Sequence, residues 1–270
     1  NKINKKNIHY LKSIGVEFIG PKIGKLKCGE YGIGRIENTK LIVNYLISKI
    51  KLNDRFIDKK CIVTAGPTIE DLDPIRYISN YSSGKQGYEI ANELSKSGAK
   101  VILISGPTNL QPPSNVKLIK VKTADEMLDE IKKVNKKIDI AIFSAAVADF
   151  KIKKISEKKI KKKNFKSILL KQNVDILKTI SLLNTDRPKY VVGFSAETDG
   201  IIKAKKKLNE KNCDMIIYNK ISNDNKVFNL NTNKISVITK NKVKNYTKTS
   251  KIKCAKYIVD SIYNEITIKW

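Results

Sequence analysis

Histidine is nearly absent from this chain. His9 is the only one among 270 residues, and Cys28, Cys61, Cys213 and Cys254 stand far apart with no CxxC pair. A zinc site needs such ligands in close spacing, so none is expected. The same scatter fits a reducing compartment better than a disulfide framework and points to the cytoplasm. Arginine is scarce too: Arg35, Arg55, Arg76 and Arg187 are the only arginines among 54 basic residues. Proteins that grip nucleic acid favour the planar guanidinium. Stacking platforms need aromatic rings, which make up 7% of this chain. The formal charge of +28 therefore reads as drift towards lysine, isoleucine and asparagine, and no nucleic acid is expected as a partner. No apolar run reaches the ~18 residues of a membrane span, and no signal-peptide pattern opens the chain. No membrane is expected. The chain begins with Asn1 in place of Met and is expected to be the remainder of a longer protein.

What is present is 41% hydrophobic residues, enough for one large core and an appendage. Residues 1–50 read as a helix over Ile8–Ser13, a strand over Val16–Ile19, a glycine-rich loop from Lys27 to Arg35, and a helix over Thr39–Ile50. A segment this short with so little apolar content should not fold alone. The polar stretch after it reads as a linker. From Cys61 onward strands and helices alternate: Cys61–Ala65, Val101–Ser105, Ile138–Phe143, Tyr190–Phe194 and Met215–Tyr218 as strands, with Ile235–Thr239 a later one. Helices are expected from Ser83, from the capping box at Thr123 to Glu126, over Gly200–Lys211, and over Lys251–Glu265. This alternation predicts an α/β fold, a doubly wound, Rossmann-like and mostly parallel sheet flanked by helices. Ligands of such folds sit beyond the carboxyl ends of the strands, which is where the motifs fall.

The stretch Ser82-Ser83-Gly84-Lys85-Gln86-Gly87 marks a loop entering a helix, where free amides and the helix dipole favour an anion. It matches neither GxxxxGK[ST] nor GxGxxG, and an ordinary cap followed by a close-packing glycine would read the same. Ser144-Ala145-Ala146-Val147-Ala148-Asp149 closes a strand with small residues that admit a flat ligand. Asp149 there can accept bonds from a nucleotide or sit near magnesium, or simply cap a helix. Asn173 and Asp175 offer amides or a plain cap. Phe194 can stack on a base or fill the core. Lys207 and Lys211, four apart, share one helix face and could both reach a triphosphate, or be two more of the many surface lysines. Lys151 to Lys166 holds nine lysines and one glutamate, and self-repulsion should keep it a mobile loop unless an anion orders it.

Taken in order, these pieces carry a resemblance. Thr64 to Thr68, Asp73-Pro74-Ile75-Arg76-Tyr77-Ile78-Ser79-Asn80 with Ser82 to Lys85, Ser144 to Asp149, Lys159-Ile160-Lys161 and Val192 to Thr198 resemble the ligase half of the bifunctional bacterial phosphopantothenoylcysteine synthetase/decarboxylase. The resemblance implies a decarboxylase remnant over 1–50, a linker over 51–57 and a ligase domain over 58–270. It implies CTP-dependent joining of 4′-phosphopantothenate to cysteine through an acyl cytidylate, with Mg2+ as cofactor. By the same resemblance Lys159 acts in the first step and Asn80 in the second. Ser144, Ala145, Asp149, Lys159, Asn173, Asp175, Phe194, Lys207 and Lys211 are implied to bind the nucleotide, with Asp149 as the metal candidate. Cys28 corresponds to a proton donor on the decarboxylase flap. FMN, the other flavin-binding parts and decarboxylation would belong to upstream sequence. A homodimer through the ligase domain is implied, in a larger assembly when the decarboxylase domain is intact. One departure is Val174, where the family often has proline, and the turn there is expected to loosen.

Two rivals share the fold class or the charge. A nicotinamide-dependent reductase predicts GxGxxG after the first strand, but Gly66-Pro67-Thr68 occupies that turn. A basic scaffold for nucleic acid predicts arginines interleaved with aromatics, which the composition lacks.

Overall fold

The computed structural model describes all residues except 1, 27–28, 50–53, 135, 162–166, 198–199, 222–229 and 270. Two compact units divide the chain, Asn1–Leu52 and Asn53–Trp270. In the first, helix Lys2–Ser13 precedes an antiparallel hairpin of Lys22–Lys25 with Tyr31–Arg35, and helix Thr39–Lys49 follows. The strand expected over Val16–Ile19 is not formed. Pairing begins after Gly20, which has φ +85°, and Pro21, which has no N–H to donate. Part of the expected glycine-rich loop is therefore the second arm of the hairpin. Among the described residues, no apolar side chain of this unit is buried.

The second unit is built on one eight-stranded sheet. Its strands are numbered here along the chain: β1 (Lys60–Ala65), β2 (Lys100–Ser105), β3 (Val116–Lys120), β4 (Ile140–Phe143), β5 (Tyr190–Glu197), β6 (Met215–Lys220), β7 (Ile235–Thr239) and β8 (Val243–Asn245). Their spatial order is 8-7-6-5-4-1-2-3. The first six strands are parallel, and β7 and β8 extend the sheet antiparallel. Read from the other edge this gives 3-2-1-4-5-6, the doubly wound order, whose reversal lies between β1 and β4.

Central parallel strands are covered on both faces and so read as unbroken apolar runs. β4, Ile140-Ala141-Ile142-Phe143, is buried at every position. Alternate residues feed two separate cores. Val63, Ile142, Val192 and Ile217 pack with helices α1 (Lys85–Lys96) and α5 (Lys251–Lys269). Ile62, Ala141, Val191 and Ile216 pack with α2 (Ala124–Val134), α3 (Ile176–Ser181) and α4 (Ile201–Glu210). Phe56 is fully buried in the first core, with its ring against Tyr263 at 5.7 Å, and the Arg55 Nη1 donates to Asp260 at 2.6 Å. These two residues fasten the start of the unit to its last helix.

At the expected capping box, Thr123 Oγ1 accepts from the Glu126 amide, while Glu126 reaches the Lys122 amide. Glu70 takes the Ala124 amide at 3.1 Å. Two hairpins rise beyond the sheet: Ile69–Asp73 with Arg76–Ser79, and Phe150–Ile152 with Leu170–Gln172.

Candidate functional site

The floor of the site forms where β1 and β4 end side by side. Gly66, at φ +75°, turns the chain after β1, and a Cβ there would meet Gly106 O at 3.0 Å. The two turns are then bonded together. Ala146 N donates to Gly66 O and Thr68 N to Ala146 O. The buried Thr68 hydroxyl oxygen accepts from Ala148 N at 3.0 Å, and the Thr64 hydroxyl oxygen accepts from Ala145 N at 3.2 Å. Ser144 Oγ donates to Thr64 O at 2.6 Å. The amides of Ala145, Ala146 and Ala148 are thus already bonded within the protein.

Above this floor lies a cavity of about 580 Å³, a size typical of small-molecule sites. Asn80, Ser144, Ala145, Asp149, Asn173, Asp175, Phe194, Lys207 and Lys211 all line it. The sheet edge gathers residues that lie as much as 131 positions apart (211 − 80) into one hollow. Lys159 does not line it, and Cys28 lies outside the described residues.

Each wall has a local cause. Asn80 Nδ2 donates to Ala146 O at 2.8 Å, which ties the first hairpin to the floor. The second N–H of the same amide remains for a ligand. Gly84, at φ +76°, precedes α1 without any side-chain cap, so the first turn of that helix keeps unsatisfied amides. Gly87 is fixed by packing: a Cβ there would lie 2.5 Å from Ser144 Oγ and 2.6 Å from Ala65 Cβ.

At the other end, Asp175 caps α3 by accepting from Lys178 N at 3.0 Å and pairs with Lys211 at 3.0 Å. Asn173 is buried, and its side chain is committed inward. Nδ2 donates to Glu70 Oε1 and Oδ1 accepts from Val174 N, both at 3.1 Å. Proline at 174 would lack that N–H, so valine adds a bond that proline could not make. Lys207 pairs with Glu197 on β5, which also holds Lys203. Burial of Glu197 disfavours its charge, but the bonds from Lys207 and Lys203 outweigh it and hold its carboxyl below the usual range.

The lysine-rich stretch is not wholly loose. Asp73 is buried and accepts from Arg76, from the Ile75 and Arg76 amides and from Ile160 N, while Arg76 Nη2 donates to Ile160 O at 3.0 Å. The bonds from Arg76 hold the Asp73 carboxyl well below the ordinary carboxylate range. Ile160, beside the exposed Lys159, is thereby bonded to the first hairpin.

Sequence reasoning passed over several lining residues, among them Asn219, Asn233 and Lys251. Lysine at 251 carries no motif, and only its burial sets it apart. Asn80 also lines a second cavity of about 770 Å³, with Tyr77, Tyr81, Thr108 and Leu110. Asn80 therefore stands at the junction of two hollows. Among the described residues there is no group of three or more His, Cys, Asp or Glu side chains able to hold a metal ion. No helix among them is long and apolar enough to cross a membrane.

Residues 56–266 match the family described as the DNA/pantothenate metabolism flavoprotein C-terminal domain. The chain belongs to this family. It is 40% identical to the coenzyme A biosynthesis bifunctional protein CoaBC of Borreliella burgdorferi, over 97% of this chain and 67% of that protein. Its identity to the same-named protein of Haemophilus influenzae is also 40%, over 96% of this chain and 65% of the relative. The chain thus spans about two thirds of the length of these relatives. A crystal structure of the C-terminal domain of a coenzyme A biosynthesis bifunctional protein CoaBC superposes with a TM-score of 0.67 at 34% identity, covering 79% of this chain and 98% of that domain.

Proposed function

We propose that the second unit is a ligase of coenzyme A synthesis, joining 4′-phosphopantothenate to cysteine at the expense of CTP. The observation that carries this reading is the convergence of Asn80, Asp149, Asp175, Phe194, Lys207 and Lys211 on one cavity at the switch point of the sheet. The family membership and the relatives' names support it. The parent protein, on this reading, also decarboxylates the product. Residues 1–50 are then the end of its FMN-dependent decarboxylase half, with Cys28 the proton donor, and the Borreliella relative aligns over 97% of this chain, the first unit included.

A carboxylate is a poor acyl donor because its leaving group would be oxide. In the first step a carboxylate oxygen of phosphopantothenate bonds to the CTP α-phosphorus as the bond to the β-phosphate oxygen breaks, and pyrophosphate leaves. In the second, the cysteine amine bonds to the acyl carbon, CMP leaves with the carbon–oxygen bonding pair, and the amine proton passes to solvent. Phe194 would stack on the base, with Asp175, Lys207 and Lys211 around the base and ribose. Glu197 and Asp175 hold these two lysines in place before any ligand arrives.

Lys159, carried on the segment docked at Ile160, is assigned to the phosphates in the first step. Asn80, with one N–H on the floor and the other free, is assigned to the acyl oxygen in the second. The second cavity, reached past Asn80, suits the pantothenate arm. Magnesium takes one or two carboxylates plus substrate phosphates. Asp149, with no ion pair among the described residues, fits that role, whereas Asp175 is already engaged. When bound, the ion would neutralise charge on the phosphates. The ligase is proposed to act as a cytoplasmic homodimer.

The test is direct. Purified chain with CTP, magnesium, phosphopantothenate and cysteine should release CMP and pyrophosphate, and ATP in a parallel reaction reports nucleotide preference. Release of neither product by folded protein would overturn the reading.

A further inference from the structure

One basic residue of the cavity lining differs from the dozens on the surface. Lys251, the first residue of α5, is 4% exposed, lines the cavity, and makes no side-chain hydrogen bond or ion pair among the described residues. Its backbone is fixed on two sides. Lys251 N donates to Asn231 O at 2.8 Å, and its carbonyl accepts from Gln86 Nε2 at 3.1 Å. It follows the short ladder pairing Thr232–Asn233 with Thr249–Ser250, and Asn233 Nδ2 donates to Asn219 Oδ1 at 3.3 Å. Asn219 is buried and lines the same hollow, so its own amide N–H groups are left for a ligand. The other cations of the cavity are accounted for differently: Lys207 and Lys211 are neutralised by Glu197 and Asp175, and among the described residues Lys85 bonds only the neutral Asn231 at 2.6 Å. Two uncompensated ammonium groups, Lys85 and Lys251, thus face the cavity beside the uncapped first turn of α1. Burial, and next the charge of Lys85, depress the pKa of Lys251. A buried ammonium without a partner is unfavourable, and persists where a bound anion compensates it.

We infer that Lys251, with Lys85 and the first amides of α1, receives the terminal phosphates of the nucleoside triphosphate and holds the pyrophosphate that leaves. This rests on the nucleotide-dependent reading given above. Two cations and a helix start suit a phosphoryl group with nearly two negative charges. A free amino acid suits them worse, since it offers one carboxylate and brings an ammonium that both lysines would repel. Lys85 and Lys251 begin α1 and α5 on one face of the sheet, whereas Asp175, Lys207 and Lys211 lie on or beside α3 and α4 on the other. A base held by the latter leaves the terminal phosphates for the former.

Lys251→Met is the decisive variant, because it keeps the stem and removes the uncompensated charge. Equilibrium binding of CTP, CMP and inorganic pyrophosphate should be measured with magnesium, together with thermal unfolding without ligand. CTP and pyrophosphate should bind about 10- to 100-fold more weakly, the range for losing a charge-assisted bond. CMP should bind within about twofold of the unaltered chain. The unliganded melting temperature should be unchanged or higher, which a structural lysine would not give. Lys251→Arg should restore part of the CTP affinity. Lys85→Gln, at a half-buried position where the side chain bonds only Asn231 among the described residues, should weaken CTP without affecting folding. CTP affinity unchanged in Lys251→Met overturns the assignment. So does a raised KM for cysteine with normal CTP binding, which would place the amino acid there. If the unaltered chain binds CMP and CTP in neither case, the nucleotide-dependent reading falls with it.

Discussion

A methyl group at Gly87 would approach Ser144 Oγ to 2.5 Å and Ala65 Cβ to 2.6 Å. The serine can rotate, but the alanine belongs to β1 and cannot. Gly87→Ala should therefore destabilise the unit by about 1–3 kcal/mol, despite alanine's better helix propensity, and thermal unfolding reads this as a lowered midpoint. The glycine's role was ambiguous in the sequence, where phosphate approach and close packing predict the same letter. Asn80 and Lys159 make separable claims. Asn80→Asp should leave pyrophosphate release largely intact and slow final product by about 10²-fold, so that the acyl cytidylate accumulates and can be trapped and weighed. Normal yield of final product would remove Asn80 from the second step. Lys159→Gln should instead suppress pyrophosphate release, and an unchanged rate would remove it from the first. Asn173 lines the cavity while each end of its side chain makes one bond inside the protein, so its second amide N–H remains, as at Asn80.

Between residue and molecule, the element that matters most is the first hairpin with the segment it carries. Asp73 is the hub, and its carboxyl titrates well below the ordinary range because Arg76 bonds it. A carboxylate lowered on folding adds stability that is complete above its unfolded value, near pH 4, and fades as pH falls through the folded one. Amides around Ile160 should thus stay protected from hydrogen exchange at neutral pH and lose protection only in strong acid. Asp73→Asn should expose them already at pH 7. Equal protection in the variant would show that the hub does not dock the segment.

The strands of the parallel sheet were legible because a strand covered on both faces has to be continuously apolar, as Ile140 to Phe143 is. Val116–Lys120 was not, since β3 lies at the sheet edge and sets Lys117 and Lys120 among its apolar residues. The two hairpins escaped for a similar reason: Glu70, Asp71 and Asp73 look like loop until Arg76, Lys122 and Asn173 are seen to meet them.

At the scale of the whole chain, both apolar cores begin at or after Phe56, and none of their buried residues falls in the first unit. Protein starting at Asn53 should accordingly fold, melt at the same temperature within error, and retain CTP-dependent pyrophosphate release. Failure to fold would mean the first 52 residues support the ligase. The net charge of +28 acts against compactness everywhere at once. Raising sodium chloride through ~0.1 M, where the screening length is about 10 Å, should raise the melting temperature by damping self-repulsion. A fall would mean that specific ion pairs outweigh the general field.

The fastening of the β1 turn to the β4 turn has a thermodynamic corollary. Since Ala145, Ala146 and Ala148 spend their N–H groups on Thr64, Gly66 and Thr68 in turn, the bed of the cleft should keep its contour when a guest arrives. Whatever disorder a guest must quench belongs to the rim, so calorimetry on rim variants should shift the entropy of association while variants of the bed shift melting alone.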